Sequence, residues 1–212
     1  MKESVSGMIS SFEDMVFFMI DIGAYAFQDF RREYPGRVKN IGIFEPGTIG
    51  VAAGVALAGM IPTVYGISPF IVQRSLEQLK LDFIYQGVGG NFITTGAAYD
   101  FSTLGYSHYC AEDVATLKTL PGMEILVPGT PAQFTVLYEA CARDGKASYF
   151  RMTDHCNKTE VNVEFGKACV IKRGTKATVV TFAEMLDAVV GACSDLDVTI
   201  LYYTTAEPFD YV

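Results

Sequence analysis

A few side chains in this sequence sit where chemistry is possible. Glu45 stands in Ile43-Phe-Glu-Pro-Gly47, at the head of a stretch rich in Ala and Gly. Apolar surroundings favour the neutral form of a carboxyl group, whereas a helix N-terminus favours its anion. A residue so placed suits acid–base work, and it suits equally a carboxylate that only caps the helix. Phe70 ends an apolar run; its flat face suits a heterocycle, or it fills the core. His108, in Gly105-Tyr-Ser-His108, can donate to an oxygen that gains charge, or stand in solvent on a loop. Arg74 reads as a solvated charge on a helix. Arg151 follows an apolar run and fits either a structural or a substrate-binding role.

These residues need a scaffold, and the apolar periodicity supplies one. Short apolar runs at 15–22, 38–44, 61–67, 91–99, 124–127 and 147–152 read as strands. Between them, 24–34, 45–59, 70–83, 111–120 and 131–143 read as helices, several stopped by Pro-Gly or Gly. Residues 100–108 lack periodicity and read as a loop. The alternation predicts an α/β domain with a mainly parallel sheet flanked by helices. Residues 153–163 are polar and irregular. Beyond them strands at 168–171, 177–182 and 198–202 and a helix at 184–193 form a unit too small to close a sheet alone. The expected organisation is a first domain at 1–155, a linker at 156–163, and a partial second α/β domain, cut short, at 164–212.

Composition narrows the function. Of 212 residues half are hydrophobic and 19% are charged, enough apolar material for a large core and too little charge for a disordered chain. The net charge is -8, with no basic face, so nucleic acid is not an expected partner. Cys110, Cys141, Cys156, Cys169 and Cys193 form no Cys-x-x-Cys pair, and with only His108 and His155 beside them no metal site is expected on this chain. The odd count suits a reducing, cytoplasmic setting, and the N-terminus lacks the order of a signal peptide. From Pro46 to Gln73 no residue is charged, long enough to span a bilayer, but its glycines, Pro62 and turn-like ends favour a buried helix followed by a buried strand.

The order of short motifs carries a resemblance. Asn40-Ile-Gly-Ile-Phe-Glu45, then Ala52-Ala-Gly54, Gly59 and Pro62, then Ser68-Pro-Phe70 with Gln73-Arg74, then Ser107-His108 with Glu112-Asp113, then Leu120-Pro-Gly-Met123, Val127-Pro128 and Tyr149-Phe-Arg151, resembles the pyrimidine-binding domain of transketolases and deoxyxylulose phosphate synthases. Phe165-Gly-Lys-Ala168, Val179-Val-Thr-Phe182 and Glu207-Pro-Phe-Asp210 look like the start of that family's C-terminal domain. The resemblance implies thiamine diphosphate as cofactor, Glu45 as proton-sharing partner of its pyrimidine ring, Phe70 as the stacking aromatic, and His108 as the residue over the substrate's oxygens. Arg151 matches a family arginine.

Two departures qualify that picture. Sugar-using members carry an aspartate where this chain has Leu104, which accepts no hydrogen bond; Asp100 is the nearby substitute. No Gly-Asp-Gly segment occurs, so the diphosphate and its magnesium ion are expected on a partner chain. The expected function is the pyrimidine-binding subunit of a two-carbon ketol transferase acting on sugar-type small molecules, active only with a diphosphate-binding partner and with homodimer contacts besides. The alternatives are the beta subunit of a 2-oxoacid dehydrogenase or acetoin-cleaving complex, and a non-catalytic module of the same fold.

Overall fold

The computed structural model describes residues 1–211. Its larger sheet is seven-stranded. The strands are β1 (Met15–Met19), β2 (Val38–Asn40), β3 (Ile61–Ile67), β4 (Gly90–Thr95), β5 (Glu124–Leu126), β6 (Ala147–Arg151) and, from the far end of the chain, β10 (Thr205–Glu207). The order is β10-β5-β6-β4-β3-β1-β2, parallel throughout except for β10, which runs antiparallel to β5. β1 shows why the sheet is parallel and covered: all five of its residues are buried. Val16 and Phe18 enter the core on one face, and Met15, Phe17 and Met19 the core on the other, following the two-residue repeat of a strand. The first face packs on the helix Glu45–Leu57 and the helical segment from Ser68 to Ile84; the second packs on helices Lys2–Ser11, Gln28–Glu33 and Pro131–Cys141.

A smaller three-stranded sheet follows, made of β7 (Ala168–Lys172), β8 (Ala177–Phe182) and β9 (Val198–Tyr203) in the order β7-β9-β8, with helix Leu186–Ala192 against it. Residues 156–163 contain neither helix nor strand. They are not slack, since Asn157 donates from Nδ2 to the carbonyl of Ala183 at 2.7 Å. The two sheets are joined further by β10 and by the Tyr202 hydroxyl, which donates to Gln133 Oε1 at 2.8 Å.

Several elements differ from the sequence expectation, each for a visible reason. The strand expected at 38–44 stops at Asn40, because Asn40 Oδ1 accepts from the amides of Asp21 and Gly42, and Gly42 turns the chain with φ 82°. Ile43 and Phe44 are left exposed. The helix expected at 24–34 is regular only over Gln28–Glu33, after a turn at Asp21 and Gly23 that both hold positive φ. The helix expected at 70–83 is three pieces, Ser68–Val72, Leu76–Gln78 and a wider-wound turn at Leu79–Ile84. The helix Lys2–Ser11 has no strong pattern in the sequence; Val5 and Ile9 anchor it, and Arg37 caps it by donating to the carbonyls of Ile9 and Phe12. No helix among the described residues is long and apolar enough to cross a membrane; the uncharged run at 46–73 is a helix and a strand, the strand buried as expected but the helix only half-buried, with Val51 and Leu57 exposed.

Candidate active site

The site lies at the carboxyl ends of the parallel strands, where α/β sheets present their ligands. Glu45 is the first residue of helix Glu45–Leu57, with Pro46 behind it holding the first turn. The turn closes tightly: Phe44 folds back over Gly47, where a Cβ would stand 1.9 Å from the phenyl ring. A side chain at Gly47 would have to displace that exposed ring, and Glu45 itself turns inward, 3% exposed. Its Oε2 accepts a hydrogen bond from Arg74 Nη1 at 2.7 Å. Among the described residues nothing else hydrogen-bonds this carboxylate, so Oε1 is free for a further donor.

Arg74, read from the sequence as a solvated helix charge, is 45% exposed, but it also pairs with Glu45, which that reading missed. The helix after β3 widens at its first turn, the carbonyl of Pro69 accepting from the amides of both Gln73 and Arg74. That extra residue swings Arg74 onto Glu45 and puts its guanidinium 3.9 Å above the Phe70 ring.

Phe70 joins Glu45 in the wall of a cavity of about 390 Å³. The turn after β1 (residues 20–23), Ile43 and Ile67 complete it. Arg74 does not line this cavity; it lines the neighbouring groove with Pro46 and Gln73. Its mostly apolar walls, the buried carboxylate of Glu45 and the ring of Phe70 are groups that suit a flat heterocycle carrying hydrogen-bonding nitrogens.

His108 meets Phe70 edge to face, with ring centroids 5.3 Å apart and planes at 73°. Its Nδ1 lies 2.8 Å from Ser107 Oγ. The loop that carries it is pinned by the amide of Cys110, which donates to the carbonyl of Ala98, and by Phe101 packed over Gly96. The structure thus brings Glu45, Phe70 and His108 together. Cys110 is not a nucleophile here: burial, then the charges of Asp113 and Glu112, push its thiol up to about 12.

Arg151 is placed elsewhere. Its Nε donates to Asp113 Oδ2 at 2.8 Å and its Nη1 lies 4.0 Å from Glu184 Oε2, with the side chain 12% exposed. Burial works against its charge, but Asp113, Tyr149 and Glu184 outweigh burial and hold it above the ordinary arginine value. Asp100, the candidate substitute for a missing aspartate, is half-buried and engaged: it accepts from Thr153 Oγ1 at 3.1 Å and the Asp154 amide at 3.0 Å, with His155 Nε2 at 3.9 Å. Leu104 is 60% exposed on the same loop. Among the described residues no group of three or more His, Cys, Asp or Glu is placed to hold a metal ion.

Residues 9–155 match the family model described as transketolase, pyrimidine binding domain. The chain belongs to that family. Its members are thiamine-diphosphate enzymes. Over 208 residues the chain is 38% identical to an uncharacterised 33.6 kDa protein of a fasciation locus in Rhodococcoides fascians, covering 98% of this chain and 66% of that protein. Over 167 residues it is 29% identical to an apulose-4-phosphate transketolase subunit of Phocaeicola vulgatus, covering 76% of this chain and 54% of that one. It thus spans two thirds or less of the length of these relatives. A solved structure described as a split gene transketolase, inactive beta4 tetramer, superposes with a TM-score of 0.86 at 24% identity over 98% of this chain and 70% of that one. That likeness establishes the transketolase fold.

Proposed function

We infer that this chain is the pyrimidine-binding part of a split, transketolase-like transferase, moving a two-carbon ketol unit between sugar-type substrates when paired with a diphosphate-binding chain. The observation that carries this reading is the buried Glu45 carboxylate, with one oxygen on Arg74 and the other free, facing a cavity it shares with Phe70. Bound thiamine diphosphate would supply the carbanion nucleophile that cleaves the bond beside a carbonyl. The chain's own residues do the rest. Glu45 Oε1 would share a proton with a ring nitrogen of the pyrimidine. Phe70 supports the ring, and the apolar wall excludes water. His108 donates to the substrate oxygen that gains charge. Magnesium and the diphosphate belong to the partner, since this sequence has no Gly-Asp-Gly segment. The subunit names of its relatives, and a tetrameric assembly in a solved neighbour, support a partner chain together with contacts between copies of this one. Residues 1–155 form the pyrimidine-binding domain, and 164–212 belong to a second domain reached through 156–163.

The test is co-purification of the tagged chain from its native host, followed by assay of the reconstituted pair with thiamine diphosphate, magnesium and a panel of ketoses. Capture of a chain with a Gly-Asp-Gly segment, ketol transfer by the pair, and its loss in Glu45→Ala support the reading. If the chain comes down alone and the cofactor with magnesium leaves its melting temperature unchanged, the catalytic reading fails and a non-catalytic module of the same fold replaces it.

A further inference from the structure

A file of buried polar side chains crosses the carboxyl ends of β3, β4 and β6, and the proposed chemistry does not use it. Ser68, Thr94, Tyr149 and Asp113 are each at most 1% exposed. The hydroxyl of Ser68 donates to Thr94 Oγ1 at 3.0 Å and lies 3.1 Å from the Thr95 carbonyl. Thr94 donates to the Tyr149 hydroxyl at 2.9 Å, and Tyr149 donates to Asp113 Oδ2 at 3.0 Å. Ser68 divides its one donor between Thr94 and the Thr95 carbonyl, and the donors of Thr94 and Tyr149 run on to one carboxylate. Arg151 Nε meets the same oxygen, while Oδ1 accepts from the amide of Val114 at 2.8 Å. Charge-assisted bonds of this kind are the stiff members of a buried network.

The two ends of the file belong to the site. Ser68 opens the short helix that carries Phe70. Asp113 opens the helix Asp113–Leu117, just after the loop that carries His108. The rings of Phe70 and His108 then meet, closing a circuit of packed and hydrogen-bonded groups. A hydrogen bond from Gln73 to Glu112 ties the same two segments a second time. Glu184 reaches the circuit from the second unit, its otherwise unpartnered Oε2 facing Arg151.

We propose that Asp113 is a positioning residue that sets how Phe70 and His108 meet, through Tyr149, Thr94 and Ser68 on one side and through its own helix on the other. Burial, and then the charge of Asp113, keeps Tyr149 well above the ordinary tyrosine value, so it remains a donor at any working pH. The importance of this placement for turnover rests on the proposed function; the placement itself does not.

His108 and His155 are the two histidines of the chain, so their ring proton resonances are readily told apart. The ring current of Phe70 marks His108, and the exposed His155 is the internal control. Tyr149→Phe removes one hydroxyl and keeps the ring, leaving Asp113 paired with Arg151; Asp113→Asn removes the charge. Both are expected to move the His108 resonances and leave those of His155 in place. In the reconstituted enzyme, Tyr149→Phe should lower kcat about tenfold with KM changed less than about twofold. His108 resonances unmoved in Tyr149→Phe overturn the proposal even if Asp113→Asn fails to fold, and so does an unchanged kcat in an active enzyme. Full activity in His108→Ala would instead remove the catalytic reading of His108, while the resonances measured on the chain alone would still decide the positioning claim.

Discussion

Arg74→Ala separates a solvated helix charge from a residue built into the site. The side chain of Glu45 is 4% exposed and that of Arg74 45%, with 2.7 Å between Nη1 and Oε2. Two unit charges about 4 Å apart attract by about 4 kcal/mol at an effective dielectric of about 20. The guanidinium keeps nearly half its contact with water, so the usable part is about 1–2 kcal/mol. Its seat over Phe70 adds about 0.5–1 kcal/mol. The substitution should therefore destabilise the chain by about 2 kcal/mol, a fall of about 4–8 °C in melting temperature for a chain of this size. Glu45→Gln keeps the shape and removes the charge, which completes a double-mutant cycle. The coupling between the two sites should be about 1–2 kcal/mol, measured by urea unfolding of the four proteins. A melting temperature within about 1 °C of the parent, or effects that add to within about 0.3 kcal/mol, would refute the pairing and return Arg74 to the solvent.

Further substitutions probe the site and the join between the two sheets. His108→Ala should lower kcat of the reconstituted enzyme about 10²-fold or more while leaving the melting temperature of the chain nearly unchanged, because the side chain lies on a loop. Phe70→Ala should weaken thiamine diphosphate binding about fivefold to tenfold, read by calorimetry, since about 1 kcal/mol of aromatic contact goes with the ring. Asp187 is held below the usual aspartate value by hydrogen bonds from Thr159 and from the amide of Lys158. Its folded value is the lower one, so the stability it contributes is fully present above the unfolded value near 4 and is lost as pH falls through the folded value. Asp187→Asn should flatten that acid limb, measured by urea unfolding from pH 6 downward. A limb of unchanged slope would mean the contact between residues 158–159 and helix Leu186–Ala192 carries no stability.

The legible parts of the fold are those whose cause is local. β3 was expected at 61–67 and is found at Ile61–Ile67, because an uncharged, β-branched run between two turns has little else to become. The helix expected at 131–143 is found at Pro131–Cys141, where the Thr130 hydroxyl caps it by accepting from the amide of Gln133. The missed elements depend on distant partners. β10 is three residues long and is a strand only because β5 lies beside it. The helix Lys2–Ser11 ends where Arg37 reaches its last carbonyls. Neither partner can be inferred from a window of neighbouring residues.

The same distinction runs through the site. The positions of Glu45, Phe70 and His108 were readable because each sits where its own segment places it, at a helix start, just past a strand end and on an aperiodic loop; their roles came only from the family resemblance. What joins them was not readable, because the joining groups bridge segments far apart in the chain. Arg74 and Arg151 are both arginines near apolar runs, and sequence alone gives no reason to aim one at Glu45 and the other at Asp113, thirty-eight residues before it. A single wide turn decides the first, and the buried carboxylate at the head of helix Asp113–Leu117 decides the second. Arg151 then serves the site by fixing Asp113, and it does not line the cavity beside Glu45. On this geometry Arg151→Lys should behave as an Asp113 defect, because a lysine carries the charge without the rigid Nε–H that holds Oδ2. The variant should move the His108 resonances in the same direction as Asp113→Asn. If it instead raises KM for a ketose while His108 stays in place, Arg151 reaches substrate directly and its pairing with Asp113 is secondary.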